Sequence, residues 1–396
     1  MGLEVFGGFM KKIELLFGEL LDQHLGKDVF LVPYYLSKEM KASCTIRHLK
    51  TKNSTKKGAH RGVTFKSWPM FFPDHNRHIR ELLNICYVVL FSKRIDMLMH
   101  FHFTLTTAII VILYKFINPK GRMYIKGDGL GFLKNLFDHL PDEKLRDKCL
   151  KKIYKLCMQQ VDYISIETEG NYQFIVSHKS ELKLKNTPVL MPNGFDDEVK
   201  KSLNIKVNSF QEKENIILTV GRIGAYQKHT ELLLSALEKL ELKSWKVLIV
   251  GNIASDFEAT KNQFFQTHVH LQDKVIFTGE ICDKQQLWEY YNRAKVFILT
   301  SRWEETPNVF YEAQTFSNYL LTTNVNGAEE ATESGKLGIV FSVKEQVLPE
   351  LIATSLQSII DSDAQVIKNS YPSLVANIPK VAWTKRIQTL VKKMVG

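Results

Sequence analysis

Residues Ile216–Leu237 read IILTVGRIGAYQKHTELLLSAL. A short β-prone apolar run stops at Gly221, a polar loop carries Arg222 and Lys228, and Thr230 opens an apolar stretch with helical spacing. Strand, glycine turn and helix in that order form the repeating unit of a parallel sheet with crossover connections. The unit recurs downstream. Trp245–Val250 ends in Gly251, Val275–Thr278 ends in Gly279, and a helix is expected over Gln285–Ala294. Val296–Thr300, a helix over Asn308–Phe316, then Tyr319–Thr322 and Gly338–Phe341 complete the series. Ligands of open parallel sheets collect beyond the carboxyl ends of the strands. The loops after these strands are therefore where functional residues are expected.

The chain before Ile216 alternates less cleanly. Strands are expected at Lys12–Phe17, Ser43–Arg47, Val63–Ser67, Ile95–Met99, Met123–Lys126 and Tyr163–Glu167. Helices are expected near Asp28–Met40, at His78–Ser92 and at Glu143–Gln160. Phe101–Ile117 is the most apolar segment, at the lower length limit for a membrane span; His102, three threonines and Lys115 favour a buried helix behind a strand. The turn Pro192-Asn193-Gly194 and the polar stretch Lys200–Asn215 mark a domain junction. A chain of 396 residues exceeds the usual single core. The expected division is an N-terminal α/β domain over 1–195, a second over 196–380, and a closing helix over 381–396 anchored on the body by Trp383.

Five cysteines without a CxxC pair fit a reducing compartment and argue against a zinc site or a disulfide framework. Lys11-Lys12 follows the first apolar stretch, so the opening residues do not read as a secretory signal. The net charge of +11 is uneven, about +10 over residues 1–200 and about +1 over the rest. Basic residues cluster at Lys50–Arg61, Arg77–Arg94 and Lys144–Lys155. Such a face is either a solvated basic surface or a contact for an anionic membrane. No nucleic-acid motif accompanies the charge, so nucleic acid is not an expected partner.

The densest chemistry lies in Ser301–Ala313, SRWEETPNVFYEA. Pro307 suits the first turn of a helix, whose unpaired N–H groups favour an anion at that end. Glu304 in the loop and Glu312 in the helix are placed to hold opposite ends of one long ligand, with a diphosphate between them near Asn308 and Val309. Gly221 lets the backbone approach that ligand. Arg222 offers a planar fork to phosphate oxygens and Lys228 a point charge. Two such cations can neutralise a leaving diphosphate without a metal ion.

In these segments, with WKVLIVGN, VIFTGEI and the tail TTNVNGAEEATESGKLGIVF, the chain resembles the family 4 retaining glycosyltransferases, and within them the bacterial polysaccharide-type group. The resemblance covers Ile216–Phe341 well and the N-terminal half weakly. It implies a GT-B fold, two Rossmann-like domains whose parallel sheets face across a cleft. It also implies hexosyl transfer from a nucleotide sugar, expected to be a UDP- or GDP-sugar, to a glycan or lipid-linked acceptor, without metal or other cofactor and with retention by front-face displacement. Arg222 and Lys228 would bind the diphosphate, Glu312 the ribose and Glu304 the transferred sugar. Glu280 and Ile281 would face the base, and Gly251 would border the donor. The cysteine usage points to the cytoplasm, and the charge of the N-terminal half to contact with the inner membrane face. A non-catalytic nucleotide-sugar-binding protein and a sugar epimerase of similar architecture are the alternatives.

Two positions depart from the family pattern. His229 stands where glycine often follows the lysine, and Glu305-Thr306 where Gly-Phe often follows the first glutamate, so the donor's identity does not carry over. In the N-terminal half KIELLFGELLDQHLGKD offers only Gly18 and Gly26 for the usual glycine-rich loop. The family's cleft-facing histidine has two possible counterparts. One is His100, with His102 on the same face if the strand runs through both. The other is the loop around Lys126 and Asp128, where Asp128 would orient an acceptor hydroxyl and Lys126 meet a phosphate. Glu329 and Glu330, after Gly327, read equally as donor-loop residues or a solvated helix start.

Overall fold

A computed structural model describes residues 12–68, 77–127, 129–138, 145–342 and 347–395. The chain divides into two compact units. One runs to Asn193 and takes in the C-terminal segment from Trp383; the other is Gly194–Ala382.

The first unit is built on an eight-stranded sheet in the order β3-β4-β2-β1-β5-β6-β7-β8. Its strands are β1 (Lys12–Glu19), β2 (Ser43–Leu49), β3 (Ala59–His60), β4 (Val63–Trp68), β5 (Met97–Phe101), β6 (Arg122–Gly127), β7 (Tyr163–Ile166) and β8 (Val189–Leu190). Every pairing is parallel except β3 with β4. A parallel sheet is covered on both faces, so its central strands are mostly apolar, with Glu14 of β1 and Lys126 of β6 buried among the apolar side chains. Ile13 and Leu15 of β1 pack toward helix α1 (Asp28–Glu39) and the closing helix Trp383–Val395. Trp383, Ile387, Leu390 and Met394 make one buried stripe along that helix. On the other face Leu16 and Leu98 meet α2 (Arg77–Phe91), α3 (Leu105–Ile117) and the helix Leu145–Gln160.

Helix α2 is pinned by polar contacts as well as packing. Glu14 of β1 is fully buried. The Tyr87 hydroxyl donates to it at 2.7 Å and Arg47 of β2 at 3.1 Å. The Arg47 guanidinium also lies 4.0 Å from the Tyr87 ring centre.

Strand β5 starts two residues later than the sequence pattern predicts. Ser92–Arg94 forms a 3-10 turn, and the Ile95 carbonyl accepts from Tyr114 and Asn118 of the α3 end, each at 2.9 Å. Those bonds occupy the backbone that a strand would use. The apolar segment after it is helical only from Leu105, where Thr104 caps the helix by accepting from the Thr107 N–H at 3.1 Å. No helix among the described residues is long and apolar enough to cross a membrane.

The second unit has six strands, all parallel, in the order β11-β10-β9-β12-β13-β14. They are β9 (Glu214–Val220), β10 (Lys246–Val250), β11 (Val275–Gly279), β12 (Ala294–Leu299), β13 (Tyr319–Thr323) and β14 (Gly338–Phe341). Three strand ends are laced by backbone bonds, Gly221 N–H to Val250 and Gly251 N–H to Gly279. In each sheet the order reverses once, between β1 and β5 and between β9 and β12, and these reversal points are where open α/β sheets leave a crevice.

Candidate functional site

The loops that follow β9 and β12, at the reversal point of the second sheet, grip each other. Lys228 and Glu304 form an ion pair of 2.5 Å, and neither side chain is more than 18% exposed. Ser301 donates to the same carboxylate oxygen at 2.7 Å, and the Gln227 amide to the other at 3.2 Å. Gln227 in turn accepts from Arg222 at 2.7 Å. Arg302 closes the clasp: its N–H bonds the Gln227 carbonyl, and its guanidinium donates to the Tyr226 carbonyl at 2.7 Å while lying 4.1 Å from the Tyr226 ring centre. Arg222, Lys228 and Glu304 are thus one hydrogen-bonded cluster, with two cations against one carboxylate. The excess positive charge is the feature that an anionic ligand would meet.

Gly221 and Gly251 shape the floor. The Lys228 stem lies over Gly221, 3.6 Å from where a Cβ would stand. Gly251 has φ +143°, and a Cβ there would lie 1.7 Å from the Gly221 carbonyl oxygen. His229 adopts φ +49°, the left-handed backbone that glycine takes without strain. This is the physical content of the departure from glycine at that position. The imidazole is buried, and Thr300 bonds the His229 carbonyl at 3.0 Å.

Glu312 lies apart from Glu304, in the helix Asn308–Thr315. The Trp288 indole donates to one of its oxygens at 3.2 Å and the Tyr291 hydroxyl to the other at 2.9 Å. Burial raises the Glu312 carboxyl above the ordinary range, and those two donors pull against the rise. Asn308 and Val309 open the helix behind Pro307, which supplies no side-chain cap. Glu280 and Ile281 follow β11, Glu280 exposed and Ile281 packed on the core. Glu329 and Glu330 are exposed on a short helix behind Gly327. Sequence reasoning missed Gln227, Ser301, Trp288 and Tyr291. Trp288 and Tyr291 stand three apart on a helix that was expected, so their shared face was the available signal.

In the first unit the reversal point holds a pocket of about 230 Å³ beyond β1, β2 and β5. His100 and His102 both line it, but they do not continue one strand face. β5 ends at Phe101, and His102 turns away at φ +64°. His100 Nδ1 lies 2.8 Å from the Phe101 carbonyl and 3.1 Å from the Thr107 hydroxyl. Donation to that carbonyl leaves Nε2 as the ring's acceptor. Burial lowers the His100 pKa to about 4, with the charge of His102 adding to the fall. Between pH 6.5 and 4 the unfolded chain takes up a proton that the folded chain refuses, so this group's contribution makes stability fall as pH drops through that window. His100→Asn is expected to flatten that part of the stability profile, as read by urea unfolding at pH 7, 6, 5 and 4.

Lys126, expected to meet a phosphate, sits instead in a buried ion-pair cluster. It is fully buried and bonded to Asp28 at 2.9 Å, to Asn193 at 3.0 Å and to Glu167. Arg386 of the closing helix donates to the Asn193 carbonyl. The lysine ties α1, β6, the residue after β7 and the end of the first segment together, one cation between two carboxylates. Asp128 lies outside the described residues.

Residues 200–372 match the sequence profile of the family described as Glycosyl transferases group 1. The chain is 27% identical over 180 residues to the amylovoran biosynthesis glycosyltransferase AmsD of Erwinia amylovora, a match covering 46% of this chain and 48% of that one. It therefore spans about half the length of that relative. Among solved structures it is similar to sucrose-phosphate synthase from Thermosynechococcus elongatus, with TM-score 0.62, 16% identity and coverage of 96% and 98% of the two chains. It is also similar to Anabaena HepE in complex with UDP-glucose, with TM-score 0.60, 16% identity and coverage of 97% and 99%. The two Rossmann-like parallel-sheet units are those of the GT-B fold.

Proposed function

We propose, from the match of residues 200–372 to the profile of glycosyl transferases group 1, that this chain transfers a hexosyl group from a nucleotide sugar to a glycan or lipid-linked acceptor. The observation that carries this reading is the Arg222–Gln227–Lys228–Glu304 cluster at the reversal point of the second sheet. A donor diphosphate would take Lys228 away from Glu304, freeing the carboxylate for hydroxyls of the transferred sugar. Arg222 would add the second positive charge, and Glu312, already oriented by Trp288 and Tyr291, would receive the ribose hydroxyls. The base would lie by Glu280 and Ile281, and Gly251 would border the donor. UDP-glucose bound to Anabaena HepE supports a nucleotide-sugar donor, and a UDP- or GDP-sugar is the one we assign.

Two cations in place supply the stabilisation that a departing diphosphate needs, so transfer is expected to proceed without a metal. Retention would follow if the leaving phosphate oxygen accepts the acceptor's proton on the face of departure. Incubation with UDP- and GDP-sugars and a pooled glycan acceptor tests the reading. Nucleoside diphosphate release that persists in EDTA and a product of retained anomeric configuration by NMR support it. Release that requires a divalent cation, or an inverted product, contradicts those two elements.

The first unit is the half we assign to the acceptor, at a membrane surface on its cytoplasmic side. Along α2 the outward stripe is Leu82, Cys86, Val89 and Leu90, with Leu90 72% exposed, and Lys93 and Arg94 follow. Leu145 and Leu156 stand exposed on the helix Leu145–Gln160 beside Arg146, Lys148 and Lys152. Apolar side chains among basic ones are the composition of an interfacial contact. The chain is expected to sediment with phosphatidylglycerol vesicles at low salt and not with phosphatidylcholine vesicles, and Leu82→Ser/Leu90→Ser should reduce the bound fraction severalfold. Equal partition of wild type and variant would remove this part of the reading.

A further inference from the structure

The polar stretch before β9, expected to mark a domain junction, also holds the end of a helix. That helix, Lys284–Arg293, carries Trp288 and Tyr291, the two donors to Glu312. The last carbonyls of a helix have no partner within it. Here the residues just before β9 supply partners. Asn292 donates to the Lys206 carbonyl at 2.8 Å and accepts from the Asn208 N–H at 2.9 Å. The Lys213 amino group donates to the carbonyls of Ala294 at 2.8 Å, Asn292 at 3.0 Å and Tyr291 at 3.5 Å. An ammonium has three N–H donors, and positive charge is favourable at a helix's carboxyl end.

Asn318 holds the same end. It donates to the Tyr291 carbonyl at 2.8 Å and to the Ala294 carbonyl at 2.6 Å. Its own N–H bonds the Ala313 carbonyl at 2.9 Å, in the helix Asn308–Thr315 that carries Glu312. Tyr291 is thus fixed at both ends, its carbonyl by Lys213 and Asn318 and its hydroxyl on Glu312. Its ring stacks on Phe297 at 5.5 Å and on Phe316 at 6.3 Å.

This use of a lysine is unfavourable in itself. Lys213 is 4% exposed and has no carboxylate partner among the described residues. Burial pushes its pKa down to about 7, and the like charge of Lys295 adds to the fall. A buried cation without a counter-charge destabilises a fold unless hydrogen bonds offset the loss of water. Sequences break local rules of this kind at functional sites.

We propose that Lys213 is a positioning residue for the ribose end of the donor: by fixing the last turn of the helix Lys284–Arg293, it holds Trp288 and Tyr291 where they orient the Glu312 carboxylate toward two adjacent hydroxyls. The proposal rests on the assignment of Glu312 to the ribose and adds what makes that carboxylate selective. Each carboxylate oxygen has two acceptor positions. Trp288 takes one on the first oxygen and Tyr291 one on the second, which leaves one on each for the 2′- and 3′-hydroxyls. A carboxylate free to turn would keep its charge and lose that match. Lys213, being buried, acts through Tyr291 and not on the ligand.

The test is calorimetric binding of UDP and GDP, of their 2′-deoxy forms and of inorganic pyrophosphate to the full chain. Wild type is expected to bind the ribonucleotide about tenfold more tightly than the deoxy form, because a site built for a hydroxyl rejects the ligand that lacks it. Lys213→Met should fold, since Asn318 keeps its bonds to the Tyr291 and Ala294 carbonyls. It should reduce the ratio to roughly threefold or less and leave pyrophosphate binding unchanged. Lys213→Gln, too short to reach all three carbonyls, should lower the ratio in the same direction and serves if the methionine variant fails to fold. Tyr291→Phe should also lower it, and the loss in Lys213→Met/Tyr291→Phe should fall well short of additive. A wild-type ratio in both lysine variants, parallel weakening of all three ligand types, or additive losses would overturn the proposal and leave the transferase reading intact. A wild type that binds a nucleotide without telling ribose from deoxyribose removes the ribose assignment of Glu312, and this proposal with it. Absence of any nucleotide binding by wild type sinks the transferase reading itself.

Discussion

Lys228→Ala is expected to lower the rate of sugar transfer by about 10²–10³-fold, or about 2.7–4 kcal/mol, the loss typical when one donor to a developing negative charge is removed from a preorganised site. The lysine sits 2.5 Å from Glu304 and has two tasks. It holds the Glu304 carboxylate, and it would move to the diphosphate when donor binds. Glu304 would keep Ser301 and Gln227 as donors in the variant, so folding should be little disturbed. Steady-state kinetics separate the two tasks. A residue that only pins the loop would change the melting temperature and leave kcat alone. A residue that stabilises the departing diphosphate lowers kcat with little change in melting. Glu304→Gln keeps a hydrogen-bonding side chain but loses the ion pair, so in combination with Lys228→Ala the losses should be far from additive.

Gly251→Ala is expected to cost about 4 kcal/mol of stability, summing an overpacking term of about 1–3 kcal/mol with a backbone strain of similar size. Its Cβ would fall 1.7 Å from the Gly221 carbonyl oxygen, on a backbone at φ +143°. The atom it strikes is backbone in the neighbouring strand end, so no side-chain rotation relieves the clash. Gly279→Ala is the control: its φ is +75°, but nothing lies within 4 Å of the new carbon, so it should lose only about 1–2 kcal/mol of left-handed strain. Urea unfolding followed by tryptophan fluorescence reads the difference, since Trp245, Trp288 and Trp303 all belong to the second unit. Equal effects of the two substitutions would show that the close approach of β9 and β10 is not what requires glycine at 251.

The second unit was legible because its punctuation is local. β9 and β10 run straight into glycines, β11 ends on one, and the cations and carboxylates stand in the loops directly after β9 and β12. Reading strand ends was enough to bring Arg222, Lys228 and Glu304 to one place. What sequence reasoning did not reach is the way they contact each other. Glu304 pairs with Lys228 from 76 residues away, and Glu312 is oriented by Trp288 and Tyr291 of another helix. The first unit resisted for the same reason, more strongly. Lys126 looks like a loop cation at a strand end, yet its partners are 98, 67 and 41 residues distant, and no local pattern signals that it is buried. The histidine pair failed on a single backbone angle: His102 leaves the strand at φ +64°, which alternation along β5 cannot foresee.

Donor binding at the second unit is tested by a thermal-shift titration of the full chain with UDP, GDP and ADP and their sugar conjugates, with Arg222→Ala alongside. A ligand that binds only the folded protein at 100 times its Kd stabilises it by about 2.7 kcal/mol, enough to move the melting midpoint by several degrees. Such a shift is expected with UDP or GDP and their sugars, reduced or abolished in Arg222→Ala. A well-folded wild type whose midpoint ignores every nucleotide, or an Arg222→Ala protein that shifts as far as wild type, would contradict it.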